Sequence, residues 1–155
     1  MLEVVNIIQY VEQKGWLDQL NQFFKGKYEV SFEEVANDQK VEVYNFWNNN
    51  NGITYEGKSF LKESRVVLQD TSLCGVNPHI DLGLIVHEFS HVAQYATGLY
   101  EELKPSTLTR IWNCNCFRSL DHKYNFYWND PVEVDARNSV KEFEETFSYS
   151  ELSGK

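Results

Sequence analysis

With 155 residues, 42% of them hydrophobic and 24% charged, the chain has the size and balance of one globular domain spanning residues 1–155, and is neither disordered nor fibrous. Its net charge of −9, from 14 Lys and Arg against 23 Asp and Glu, excludes an extended phosphate-binding surface, so nucleic acid is not an expected partner. No basic region precedes an apolar run in residues 1–8 and no stretch reaches the length of a membrane span, so a soluble domain of the cytoplasm is expected.

Residues 2–13 place Leu2, Val5, Ile8 and Val11 at helical spacing. Gly15 interrupts that pattern, and Trp16, Leu17, Leu20, Phe23 and Phe24 begin a second amphipathic helix. After Gly26 the alternation of residues 28–32 predicts a strand. Residues 38–50 fit a helix stopped by the Asn run and Gly52, with a strand through Val41 and Val43 as the alternative. Residues 53–55 and 65–69 read as two further short strands. Cys74, Cys114 and Cys116 are an odd set without a secretion signal, which points to a reducing compartment and to free, partly buried thiols.

The most informative stretch is residues 77–98, which read as one long helix. Asn77 can cap it, Pro78 suits its first position, Asp81 sits near the positive end of the dipole, and Gly98 can close it in a left-handed conformation. At its centre stands His87-Glu88-Phe89-Ser90-His91. Four residues are a little over one turn, so both imidazoles project from one face and can converge on a metal ion, with Glu88 on the same rim. Zinc in such a site polarises a carbonyl and makes water acidic near neutral pH, while a neighbouring carboxylate moves the proton. Apolar residues such as Leu82, Ile85, Val86, Phe89 and Val92 surround the motif, as in a buried helix, where titratable groups need a reason to be present.

Beyond Gly98, residues 99–105 read as a connection, and Leu108, Ile111, Trp112 and Cys116 as an amphipathic helix. The aromatic-rich residues 121–128 either line a substrate groove or, the preferred role, pack the C-terminal half onto the metal helix. Asn129 or Asp130, followed by Pro131, opens a last helix with a stripe of Val132, Ala136, Val140, Phe143 and Phe147.

His87-Glu88-Phe89-Ser90-His91-Val92-Ala93-Gln94 together with Glu133-Val134-Asp135-Ala136 resembles the gluzincins, zinc metallopeptidases whose third ligand is a glutamate on a later helix. The likeness is nearest to compact single-domain members of the kind found as the core domain of contractile injection systems, and more distant to the CaaX-prenyl endopeptidases. It implies an α+β zincin-like domain with a short, mostly antiparallel sheet packed on a central HExxH helix and further helices around it. It also implies an edge strand above the metal helix that pairs with extended substrate, for which residues 65–69 are placed.

The expected function is zinc-dependent hydrolysis of peptide bonds in a peptide or protein substrate, with His87, His91 and Glu133 as ligands and Glu88 as general base. The alternative is a non-catalytic zinc-binding structural or interaction module on the same fold; hydrolysis of a non-peptide amide is a third possibility. For the third ligand Asp135 and His122 compete with Glu133, whose reach across from the first turn of its helix favours it. Tyr127 is the first candidate for a donor to a developing oxyanion, ahead of Tyr124 and His122, with a plain core tyrosine as the favoured reading.

Overall fold

The computed structural model describes residues 2–44, 52–55, 65–69 and 80–147. It is mostly helical, with a small mixed sheet, and so belongs to the α+β class. The strands are β1 (Leu2–Val5), β2 (Lys40–Tyr44), β3 (Gly52–Tyr55) and β4 (Arg65–Gln69), in the spatial order β1-β2-β4-β3. β1 runs antiparallel to β2, β2 parallel to β4, and β3 antiparallel to β4, with Val41 opposite Val66 and Val43 opposite Leu68. These four apolar residues are buried and put one face of the sheet into the core.

Three elements differ from their sequence-based expectations, each for a local reason. Residues 2–13 divide into β1 and the helix α1 (Ile7–Gln13), because the Asn6 side chain accepts from Gln9 N at 3.1 Å and caps a helix there. The strand expected at residues 28–32 is absent. α2 (Leu17–Tyr28) ends at Glu29 in the left-handed region (φ 64°), and Ser31 opens α3 (Phe32–Ala36) with a reciprocal capping box to Glu34. The helix favoured for residues 38–50 is instead β2 over its described part, where Val41 and Val43 gain neighbours on both sides; residues 45–50 lie outside the described residues.

The metal-motif helix is α4 (Leu82–Thr97). It starts later than the sequence suggested: Asp81 is the cap, accepting from Leu84 N at 3.1 Å, and Asn77 and Pro78 lie outside the described residues. Gly98 closes it at φ 80°, as expected, and α5 (Leu99–Leu103) follows directly where a plain connection was expected. α6 (Thr107–Cys114), α7 (Leu120–Asn129) and α8 (Pro131–Thr146) follow, capped by Ser106, Ser119 and Asp130.

α4 is the centre of the packing, flanked by α2, α3, α5, α8, β3 and β4. A relay of aromatic rings ties these helices together: Phe143 of α8 meets Phe23 at 5.4 Å, Phe24 meets Phe32 at 5.7 Å, and Phe32 meets Phe89 of α4 at 4.9 Å. By contrast α5, α6 and α7 bury no residue, and Leu108, Trp112, Phe117 and Leu120 stand exposed. Among the described residues no helix is long and apolar enough to cross a membrane.

Phe89→Ala is therefore expected to cost about 3–5 kcal/mol, because it empties a fully buried site beneath the metal motif. Leu108→Ala should stay within about 0.5 kcal/mol. Urea unfolding followed by far-UV circular dichroism compares the two.

Candidate metal centre

His87 and His91, one turn apart on α4, hold their rings 5.0 Å apart at 82° to one another. His87, Glu88 and His91 each offer one ligand atom, all within 4.8 Å of one another, so the group could hold a metal ion. α8 brings Glu133 to the same place: its Oε2 lies 2.8 Å from His91 Nε2 and 3.7 Å from His87 Nε2. His91, Glu88 and Glu133 are buried, while His87 keeps some solvent exposure.

The protonation pattern around His91 is set by an amide. Gln94 Nε2 donates to Val132 O at 3.0 Å and to Asp135 Oδ2 at 2.9 Å, so the carbonyl end of this side chain must face His91, where Oε1 lies 2.9 Å from Nδ1. Nδ1 then carries the hydrogen, and Nε2 presents a lone pair toward Glu133. Glu133 Oε2 is buried and, apart from these ion-pair contacts with the two histidines, has no hydrogen-bond partner among the described residues. Two acceptors facing each other across 2.8 Å call for a positive charge between them, a proton or a metal ion. A tetrahedral ion with bonds of about 2.0–2.1 Å spaces its ligand atoms by roughly 3.3 Å, and the two Glu133 separations bracket that value. Two imidazoles and a carboxylate therefore form a donor set suited to a divalent transition-metal ion.

Electrostatics carries the same signature. Burial works to lift the Glu133 carboxyl, yet the two imidazoles and the Tyr127 hydroxyl outweigh it and hold the group well below the usual carboxylate range. Burial likewise works against charging His91, but Glu133 and Glu88 raise its pKa overall. Glu88 behaves oppositely: burial pushes its carboxyl up, against the pull of His91, His87 and Thr54. Two neighbouring carboxylates are thus driven apart, one locked as an anion and one made more basic.

Further side chains hold these groups in place. Thr54 Oγ1, on the edge strand β3, lies 2.9 Å from Glu88 Oε1 and 3.1 Å from Glu88 O. Among the described residues the edge strand beside α4 is β3, whereas β4, expected in that role, lies inside the sheet. Tyr127 donates to Glu133 Oε1, so its proton is committed to a carboxylate; it is neither the core tyrosine that was favoured nor free to serve as the candidate oxyanion donor. Asp135 is held away from the centre by Gln94 and by Tyr28, whose hydroxyl donates to Oδ2 at 2.7 Å. His122 bonds Asn113 at 2.8 Å within the α6–α7 hairpin and does not join the histidines of α4. Tyr124 and Trp128 are exposed and stack on each other 6.0 Å apart, contrary to the packing role expected of this segment. Cys114 and Cys116 are free and exposed rather than partly buried; Cys74 lies outside the described residues.

A cavity of about 490 Å³ adjoins the centre and takes in Glu88, His91, Tyr127, Glu133 and, from α6, Arg110. Its size is that of a pocket for a small ligand or a few residues of peptide. Comparison with known proteins adds no relative: no family model, curated protein or solved structure matches the chain. Sequence reasoning assigned no role to Thr54, Gln94 or Arg110. Gln94 had a signal, since it stands three residues after His91 and so shares its helix face, while Thr54 had none, being 34 residues from its partner Glu88.

Gln94→Leu, a change of similar volume that removes the acceptor for His91 Nδ1, is expected to weaken zinc binding by about 10- to 100-fold. His122→Ala should leave it unchanged. Competition titration against a chromophoric chelator, with circular dichroism as a check on folding, measures both.

Proposed function

We propose that the protein is a zinc-dependent peptidase of the gluzincin type, with His87, His91 and Glu133 holding the ion and Glu88 acting as general base. The observation that carries this reading is the close approach of the buried Glu133 Oε2 to the imidazole nitrogens of His91 and His87, at 2.8 and 3.7 Å. A metal ion in that position supplies Lewis acidity to a substrate carbonyl and makes water more acidic.

The remaining work falls to the chain. Glu88 borders the cavity with a carboxyl whose proton affinity is raised by burial, which suits it to take a proton from water and return it to a leaving amine. Thr54, within hydrogen-bond distance of Oε1, orients that carboxylate. Tyr127 occupies Oε1 of Glu133 and leaves Oε2 for the ion. Gln94 keeps His91 in the tautomer whose Nε2 is a ligand. β3, an edge strand whose Thr54 touches Glu88, is the segment on which an extended peptide would lie. A non-catalytic metal module would use the same imidazoles with Glu133 or Glu88 as a ligand, but gives no role to the cavity that Glu88 borders.

Two substitutions separate the roles. Glu88→Gln should retain the fold and the zinc but lose hydrolysis of an unfolded protein substrate by about 100-fold or more, since an amide cannot take the proton; equal cleavage by both forms would remove Glu88 from the reaction. Glu133→Gln should weaken zinc by orders of magnitude and Asp135→Asn by much less, because only the first removes a charged ligand. The reverse order in a zinc titration would transfer the ligand assignment to Asp135.

A further inference from the structure

Arg110 brings a permanent positive charge to a cavity otherwise lined by the carboxyl groups of Glu88, Glu133 and Asp130. A guanidinium has five N–H donors in a rigid fork. In Arg110 one edge is occupied: Nη1 donates to the Tyr100 hydroxyl at 2.8 Å, and the guanidinium lies over the same ring at 5.5 Å. The other edge is only loosely held: among the described residues Nε, shielded from solvent, has no hydrogen-bond partner, and Nη2 makes an ion pair with Asp130 at 3.8 Å, longer than a hydrogen bond. Asp130 is held elsewhere, its Oδ1 accepting from Val132 N at 2.9 Å as the cap of α8.

A buried donor without an acceptor, on a side chain that cannot deprotonate, is a site completed by an anion. That edge, formed by Nε and Nη2, matches the two oxygens of a carboxylate once the partly exposed side chain turns to uncover Nε and gives up its long contact with Asp130. A doubly charged phosphate would sit in the same cavity as three acidic side chains, whereas a carboxylate is the anionic group that peptides carry. We propose that Arg110 binds a carboxylate of the substrate through Nε and Nη2, a few residues at most from the bond that is cleaved. The group recognised is a free C-terminus or the side chain of an Asp or Glu. This assignment rests on the peptidase reading for its substrate, but not for its binding chemistry.

The test reads Arg110 directly. Nitrogen-15 spectra of the protein, with and without zinc, resolve the Nε–Hε signal of Arg110, identified by its loss in Arg110→Lys. The probes are pools of N-acetylated tripeptides in three forms: free acids without Asp or Glu, the corresponding C-terminal amides, and amides containing Asp. The expected result is a shift of that signal by a carboxylate-bearing pool and none by the neutral amides. A response to the free acids alone assigns a C-terminus, one to the Asp-containing amides alone a side chain, and one to both a general carboxylate site. No shift, or an equal shift by the neutral amides, overturns the proposal.

Cleavage assays on the zinc-loaded protein give the second readout. Peptides with the recognised carboxylate should be preferred by roughly 10- to 100-fold, through KM, and Arg110→Gln should abolish that preference. A carboxylate-dependent shift with no cleavage of any peptide would defeat the peptidase reading and leave the Arg110 site standing. Cleavage indifferent to the carboxylate in wild type and Arg110→Gln alike would do the reverse.

Discussion

The close approach of two acceptors, Glu133 Oε2 and His91 Nε2, is the constraint on which the site and much of the fold depend. Left without a cation between them they would repel, and neither can turn away. His91 is held by Gln94, Gln94 by the backbone of Val132 and the carboxylate of Asp135, and Asp135 by Tyr28 of α2. Glu133 is held by Tyr127. The same bonds that orient the histidine therefore pin α8 to α4 and α2, so the geometry of the centre and the packing of the core are one arrangement.

That arrangement divides labour between two carboxylates on facing helices. Glu133 is surrounded by the imidazoles and a phenol, and stays ionised despite its burial. Glu88 is buried with less compensation and is made more basic, with Thr54 as its neutral partner. One fold thus shifts two carboxyl groups of the same residue type in opposite directions by placing them in different surroundings. Opposite them, the α6–α7 hairpin contributes a cation, Arg110, to the lining of the cavity that holds these carboxyl groups.

Much of this was legible in the sequence where the causes are local. His87, Glu88 and His91 lie within about one turn, so spacing alone predicts that they meet. The opening of α8 is written in Asp130 and Pro131, which places Glu133 in its first turn. Helix α2, strands β3 and β4, and the Gly98 stop follow from periodicity and punctuation. The errors came from competition between local patterns: Ser31-Phe32-Glu33-Glu34 is a capping box, but the alternation of residues 28–32 pointed to a strand, and the box prevailed because it satisfies two backbone donors at once. Asn6 likewise ended a helical pattern that ran through it. The sheet order, the edge position of β3, the reach of Thr54 to Glu88 and the entry of Arg110 into the cavity are products of tertiary packing, and no short-range pattern announces them.

Zinc X-ray absorption on the protein loaded with one equivalent of the ion tests the central claim most directly, because it reads the ligands without requiring a substrate. The account calls for roughly one zinc per chain, coordinated by nitrogen and oxygen at about 2.0–2.1 Å with scattering from two imidazoles and none from sulfur. Failure to retain zinc, or a shell containing sulfur near 2.3 Å from Cys114 or Cys116, would contradict it.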